Sequence, residues 1–417
     1  MAIDRASFST LYQTYYPDAK LPWLVPKNLP LLNMVLGGNT DGQVSGLQTD
    51  MPWLYGPSTG VSPSFAVAQQ QSNAAPQTLR PTVRLSQLYK LIDFSDKDEL
   101  LSQGPAAYGD LMETVVDGAR MEFLNQLDQH LHYNGSGVRA AIVGVSGANI
   151  TLNQSGSIET VFERGHSIVI TSTNPVDGTA PVVAEGPFTI VSVNSDLGGS
   201  IITVDRAPAA TSGFIAVNGA TAGFSSALLN PNIIGLDAYN PFTPVVAGES
   251  FLGVDRSVYR SRLSGYRFDG SQRSTEAALK RLATLMAQGG VVGGGAMALL
   301  NPVDLDQLGD KLASYQRMSQ SQVGLFFFES IALNTPLGRL DCVADPHQQA
   351  GLARIIMPGA VQLQFKNGLP HIATLSGGVD QEFGQNFDGR SMRMRAYAQQ
   401  RCLDPRKLGI VALPAVV

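Results

Sequence analysis

The sequence has little charge. Asp, Glu, Lys and Arg make up 15% of its 417 residues, whereas about 25% is usual for soluble domains. The hydrophobic share is nevertheless 44%, which excludes an intrinsically disordered chain, because disorder requires few apolar residues and a high net charge. The 29 basic and 34 acidic residues leave a net charge of -5, which excludes a nucleic-acid-binding protein that depends on a strongly basic field.

Long apolar runs and cysteines are also scarce. The sequence has no run of about 18 apolar residues, so we expect no transmembrane helix. The first residues, MAIDR, lack the pattern of a signal peptide. The two cysteines, Cys342 and Cys402, are far apart. They form no disulfide framework and are typical of a protein made in a reducing cytosol.

Charge is nearly absent from one long segment. The only charged residues in 37–86 are Asp41, Asp50, Arg80 and Arg84. The segment is rich in Gly, Pro, Ser and Gln. A structureless loop of this length is uncommon in a compact domain, and this segment is too apolar to remain disordered. We therefore predict a long two-stranded excursion that rests on another chain.

Lysine is absent from a second segment. Residues 135–250 carry eight acidic and three basic residues, none of them Lys. Here β-branched residues alternate with polar ones between Gly, Asn, Asp and Pro turns, as in Ser167–Thr171. Short strands with regular turn signals predict a small all-β unit, either a barrel or a sandwich. Helical sequence flanks the unit on both sides, which indicates an insertion.

The remaining sequence mixes helices and strands. A helix that starts near Pro105 carries apolar residues at helical spacing until it ends at Asn134-Gly135. Further helices are predicted from Ser274 to Gln288 and from Asn301 onward, with Ser274 and Asn301 as N-caps. The residues from Ser391 to Gln400 alternate as in a strand with one buried face.

No motif for catalysis or cofactor binding is complete. Cys342, Asp345 and His347 are close in sequence, but no second cluster completes four ligands, so a turn after a strand is the favoured interpretation. His130 and His132 are two residues apart on a helix, so they point to different faces and are not expected to share a metal. We expect no catalytic residue, no cofactor and no metal.

Five residues are candidates for contacts between subunits: Trp23, Trp53, Tyr55, Arg393 and Arg395. The three aromatic residues lie in segments predicted to be extended, and exposed aromatic residues often anchor interfaces. Burial within their own subunit is the alternative. For the two arginines, pairing between subunits is favoured, and contact with phosphate is the alternative.

The order of these segments resembles that of the major capsid proteins of tailed bacteriophages, which share the Hong Kong phage capsid fold. The run Phe251–Ser257 with Arg262–Gly265 looks like the family's return into the body. The tail Arg395–Gln400 with Asp404–Lys407 looks like its closing strand and exit. The resemblance implies an α+β fold divided as follows: N-terminal arm, 1–37; extended two-stranded loop, 38–90; spine helix and start of the peripheral domain, 91–137; inserted small all-β barrel or sandwich, 138–232; peripheral domain return and helix, 233–300; axial domain, 301–385; closing peripheral strand and C-terminus, 386–417.

The resemblance also implies a non-enzymatic function. Copies of the chain would form the hexamers and pentamers of an icosahedral shell that encloses double-stranded DNA. The chain would assemble in the host cytoplasm and end in the virion. Its partners would be itself, scaffold, portal and decoration proteins, and packaged DNA through non-specific contact, with no membrane. Some members join subunits through a lysine in the extended loop, but no Lys lies between Lys27 and Lys90, which argues against that cross-link.

Two other functions stay open. One is an encapsulin-like cellular nanocompartment shell protein, which shares the fold and holds cargo enzymes. The other is an adhesive or enzymatic β-protein whose active part is the unit at 138–232. If the chain is a shell subunit, we expect deletion of residues 50–75 to leave a folded monomer that cannot assemble.

Overall fold

The computed structural model describes residues 29–37, 48–57, 61–71, 77–95, 111–153, 158–175, 181–195, 200–217, 233–313, 320–321, 330–372, 381–383 and 389–414. The helices in these residues are α1 Pro30–Gly37, α2 Phe65–Gln71, α3 Leu111–His132, α4 Leu236–Tyr239, α5 Arg260–Ser264, α6 Thr275–Gln288 and α7 Pro302–Ala313. None of them is both long enough and apolar enough to span a membrane.

The strands occur in five stretches of the chain. Along the predicted loop they are β1 Gln48–Asp50, β2 Trp53–Gly56, β3 Gln77–Leu79, β4 Thr82–Arg84 and β5 Ser86–Ser95. After α3 come β6 Val138–Ser146, β7 Asn149–Leu152, β8 Ser167–Thr171, β9 Val183–Asn194, β10 Ile201–Val204 and β11 Gly213–Val217. Around α5 and α6 they are β12 Ser250–Phe251, β13 Val254–Asp255, β14 Tyr266–Asp269 and β15 Ala296–Leu300. After α7 follow β16 Gln320–Ser321, β17 Ser330–Thr335, β18 Gly338–Ala344 and β19 Leu352–Ile356. The last are β20 Val361–Ile372, β21 Gln381–Phe383, β22 Gly389–Cys402 and β23 Leu408–Ala412.

A long sheet supports helix α3. Strand β22 pairs antiparallel with β5 on one side and with β20 and β21 on the other. Its side chains alternate as the sequence predicts, with Met392 and Met394 buried and Arg393 exposed. The buried face packs against Ala119 and Phe123 of α3. The predicted apolar stripe of this helix is confirmed there, and it continues into the main core through Leu127 and Leu131.

A second, mixed sheet follows the order β14-β23-β19-β15-β18-β17-β16 in the described residues. Helix α6 packs its apolar residues into the core of this sheet, and Leu308 of α7 joins them. Both predicted N-caps are confirmed, since the Ser274 side chain accepts a hydrogen bond from the Ala277 N–H and Asn301 Oδ1 accepts one from the Val303 N–H. These bonds satisfy amide groups that the first helical turn leaves without partners.

The segment predicted to be all-β forms a closed barrel in the order β10-β7-β6-β11-β8-β9. The sequence patterns predicted either a barrel or a sandwich, and the structure shows a barrel. The inward residues are mainly β-branched or aromatic, and they fill the interior with a core of their own, which includes Ile150, Phe188, Ile202 and Ile215. Barrel closure pairs the strand edges that an open sheet would expose.

Strand pairing and packing cross several of the predicted domain boundaries, which stay a prediction. Residues 86–90, placed in the extended loop, belong to β5 and pair with β22. Helix α6, placed in the peripheral part, packs on the same sheet as the segment after Asn301. Strand β20, placed in the axial part, pairs with β22 of the long sheet. Strand pairing depends on contacts distant in sequence, so segment order alone does not reveal these groupings.

Candidate functional site

The extended loop is built from two short antiparallel ladders. Strand β1 pairs with β4, and β2 pairs with β3. The Thr82 hydroxyl donates a hydrogen bond to Asp50 Oδ1 over 2.8 Å across the first ladder. Helix α2 lies in the sequence between the strands of the second ladder. The two-stranded part of the predicted excursion is therefore present in the described residues, and its contact with another chain stays a prediction.

The base of the loop is fixed to its own subunit. Met51, Trp53 and Val83 are buried in the main core. The Trp53 side chain is only 5% exposed, and its indole N–H donates a 3.0 Å hydrogen bond to the carbonyl of Cys402. For Trp53 the structure thus favours the alternative interpretation, burial within its own subunit, because the side chain alternation of β2 turns Trp53 inward and Leu54 outward.

Tyr55 also contacts its own chain. Its carbonyl accepts a 2.7 Å hydrogen bond from Arg262 Nη1, and its ring centroid lies 5.7 Å from that of Tyr259. The side chain is half-buried, so its contact with another subunit stays a prediction. Trp23 lies outside the described residues.

The outer part of the loop presents apolar side chains to solvent. Val61 and Phe65 are 102% and 82% exposed, and Val67 is 43% exposed. Residues 61–71 contain no charged residue. We call Val61, Phe65 and Val67 the loop tip. Three exposed apolar side chains within seven residues of an uncharged stretch are typical of an interaction surface, and the loop tip is our candidate for one among the described residues.

The two arginines lie on the solvent-facing side of the long sheet. Arg393 is exposed, and Arg395 is half-buried with its guanidinium 5.6 Å from the ring centroid of Tyr397. This face is opposite to the one that packs on α3, and it also carries the exposed side chains of Tyr89 and Leu91. The role of the two arginines between subunits stays a prediction.

A buried polar cluster joins α3 to the turn after β18. It consists of Asp128, His132, Asp345 and His347, all of which are buried. His347 Nδ1 lies 2.7 Å from Asp128 Oδ2, and His132 Nε2 lies 3.1 Å from Asp345 Oδ2. Burial raises the pKa of Asp128, but the hydrogen bonds with the two histidines lower it by a larger amount. The pKa of Asp128 therefore lies well below its usual range. Burial lowers the pKa of His132, but the two carboxylates raise it more, to about 10.

Sequence reasoning found only part of this cluster. It grouped Asp345 and His347 with Cys342, but Cys342 is a buried member of the apolar core. The other half comes from Asp128 and His132, whose spacing of four places both on one face of a helix. That spacing is the sequence signal from which this half of the cluster could have been predicted. As expected, His130 points elsewhere, with its Nδ1 3.1 Å from Arg139 Nη2.

Glu122 of α3 connects three parts of the fold. It forms a salt bridge with Lys90 of β5, and its Oε1 lies 3.6 Å from His166 Nε2 in the barrel. The nearby imidazole of His166 is the main cause that lowers the pKa of Glu122 to about 2, and Lys90 adds to it against the opposing effect of burial. The carboxylate thus helps to hold the barrel on α3.

We expect Glu122→Gln to lower the free energy of unfolding by up to about 1 kcal/mol near neutral pH, since this carboxylate is partly solvent-screened. Because the folded-state pKa lies below the unfolded value of 4.5, the stabilisation is present above that value and is lost as the pH falls toward about 2. Urea unfolding of both proteins across this range measures it. Glu163→Gln is the control, because the Glu163 carboxylate lies 4.0 Å from the same histidine. If the difference in the free energy of unfolding between the unaltered chain and Glu122→Gln does not change with pH, the stabilisation does not come from the charge of Glu122.

No protein-family model matches the sequence, and neither does any curated protein. Among solved structures, the chain is similar to one described as the cyanophage A-1(L) capsid asymmetric unit, with a TM-score of 0.53 and 11% identity over 96% of this chain and 95% of that one. It also matches a structure described as Mycobacterium phage Adephagia, with a TM-score of 0.45 and 11% identity over 100% and 99% of the two chains. For the SrpI encapsulin of Synechococcus elongatus PCC 7942, the TM-score is 0.45 and the identity 9% over 99% and 96%.

The likeness to the cyanophage capsid structure extends over nearly the whole of both chains. The chain thus shares its overall fold with that structure. More specifically, the chain has the α+β Hong Kong phage capsid fold, as the order of its segments predicts.

Proposed function

We propose that the chain is the major head protein of a tailed bacteriophage. Copies of it would assemble through hexamers and pentamers into an icosahedral shell around double-stranded DNA. The observation that carries the proposal is the capsid fold over 96% of the chain. The apolar loop tip supports it, because a subunit that functions alone gains nothing from presenting such a surface to water. The role is structural rather than enzymatic.

The loop would act as a clamp between subunits. Its base is fixed in the core by Trp53, while the loop tip buries its apolar side chains only if another surface covers them. A contact from the loop of one copy to the body of the next is heterologous, and such contacts close into rings when the rotation allows it. The low charge of the loop avoids repulsion where many copies meet.

We expect the purified full-length chain, alone or with a scaffold protein, to form closed particles tens of nanometres across. Negative-stain electron microscopy and size-exclusion chromatography with light scattering measure this result. A protein that remains monomeric with every scaffold tested contradicts a shell function.

The contents of particles made in their natural host distinguish a phage head from a nanocompartment. We expect DNA that is protected from nuclease. Particles that hold a defined enzyme and no DNA would instead favour the encapsulin-like alternative. Saturable sugar binding or hydrolysis by the full chain, lost when the barrel surface is altered, would favour the adhesive or enzymatic alternative.

A further inference from the structure

The two carboxylates of the buried cluster point toward a common centre. Asp128 Oδ1 accepts a 2.9 Å hydrogen bond from the Leu32 N–H, and Asp345 Oδ1 accepts a 3.0 Å bond from the His347 N–H. The second oxygen of each carboxylate is left to face the two imidazoles. Backbone groups thus orient both carboxylates, as outer hydrogen bonds commonly do for metal ligands.

The spacing of the inward atoms suits a metal ion. Asp128, Asp345 and His347 each offer one ligand atom, and these atoms all lie within 4.8 Å of one another. His132 Nε2 lies 3.1 Å from Asp345 Oδ2 and 3.7 Å from Asp128 Oδ2. Four ligands at about 2.0–2.2 Å from a tetrahedral Zn²⁺ are separated by roughly 3.3 Å. Small shifts would bring Asp128, Asp345 and His347 to this spacing, whereas His132 lies outside the group of atoms within 4.8 Å and its side chain would have to move toward His347.

Charge balance also favours a cation at this position. Asp128 and Asp345 are both 0% exposed, and buried carboxylates are costly unless their charge is neutralised. One divalent cation with two neutral imidazoles makes the site neutral.

The outer nitrogens of the histidines have no hydrogen-bond partner among the described residues. His132 Nδ1 and His347 Nε2 are buried and make no hydrogen bond within the described residues. Both histidines line a cavity of about 10 Å³ next to Arg354, which is close to the space that one water requires. A water at this position would satisfy a ligating histidine in the way that metal sites usually do.

We propose that Asp128, His132, Asp345 and His347 bind a Zn²⁺ ion. Carboxylate and imidazole ligands suit this metal, and four protein ligands make the site closed and structural rather than catalytic. The ion would fasten the C-terminal end of α3 to the turn after β18, and Leu32 would tie α1 to the same point.

Metal content of the purified full-length chain tests this proposal. After incubation with Zn²⁺ and desalting, we expect about one Zn²⁺ per chain by inductively coupled plasma mass spectrometry, and less than about one tenth of that in Asp128→Asn and His347→Gln. A strong chelator should lower the melting temperature by several degrees, and added Zn²⁺ should restore it, because the ion binds the folded state preferentially.

His166→Gln is the matched control, because it removes a buried histidine that lies outside the cluster. It should retain Zn²⁺ like the unaltered chain. If either cluster variant fails to fold, the chelator experiment on the unaltered chain decides. The proposal is overturned if that chain retains no Zn²⁺, if the cluster variants retain as much as the control, or if the chelator leaves the melting temperature unchanged.

Discussion

Replacing Val61, Phe65 and Val67 with serine is expected to abolish particle formation and to leave the melting temperature of the monomer unchanged. The three side chains are exposed in the isolated subunit, so its folding gains little from them. Burying a Val or Phe side chain is worth about 1.5–3 kcal/mol, and a shell repeats this gain at every copy. Electron microscopy and light scattering measure assembly, and a thermal melt measures stability.

The barrel offers a matched control for this triple substitution. Val143, Val182 and Val191 are also exposed, at 67%, 61% and 46%. Serine at these three positions should leave assembly intact if the barrel surface lies outside the main subunit contacts. Normal shells from the loop-tip variant would show that the loop tip is not the clamp between subunits.

The structure also redefines the deletion that tests the loop. Removing residues 50–75 would take away Met51 and Trp53, which are buried in the core, so that deletion is expected to destabilise the monomer as well. Replacing residues 58–76 with a short Gly-Ser linker keeps both ladders. This narrower deletion should give the folded, non-assembling monomer.

We expect Trp53→Ala to lower the free energy of unfolding of the monomer by about 3–5 kcal/mol, the usual cost of removing a buried aromatic side chain. The substitution also leaves the Cys402 carbonyl without the indole hydrogen bond, which adds to the loss. Urea unfolding of the unassembled chain measures this effect.

The neighbouring residue is the control. Leu54 is 69% exposed, so Leu54→Ala should change monomer stability by less than about 0.5 kcal/mol. If Trp53→Ala proves as mild as Leu54→Ala, the indole does not anchor the loop in its own subunit, and the contact between subunits predicted for it regains support.

Local sequence signals predicted much of this fold. The caps at Ser274 and Asn301, the apolar stripe of α3 and the alternation around Arg393 depend on residues only a few positions apart, and each is confirmed. Turn residues and alternation likewise located the strands of the barrel. The resemblance to capsid proteins came from the order of these elements, and the structural likeness bears it out.

Contacts between residues that are far apart in the sequence could not be predicted from local sequence patterns. Trp53 finds its hydrogen-bond partner 349 positions away, and Asp128 meets His347 across 219 positions. Neither partner is marked by a local pattern, because tertiary packing brings the pairs together. The buried cluster was therefore found only in part, although the spacing of Asp128 and His132 already placed two polar side chains on one helical face.

A cryo-electron-microscopy reconstruction of assembled particles tests the central claim most directly. The account predicts a closed icosahedral shell in which Phe65 of each copy is buried against a neighbouring copy, while Trp53 remains in the core of its own. A shell in which the loop tip stays exposed or packs on its own subunit would contradict it.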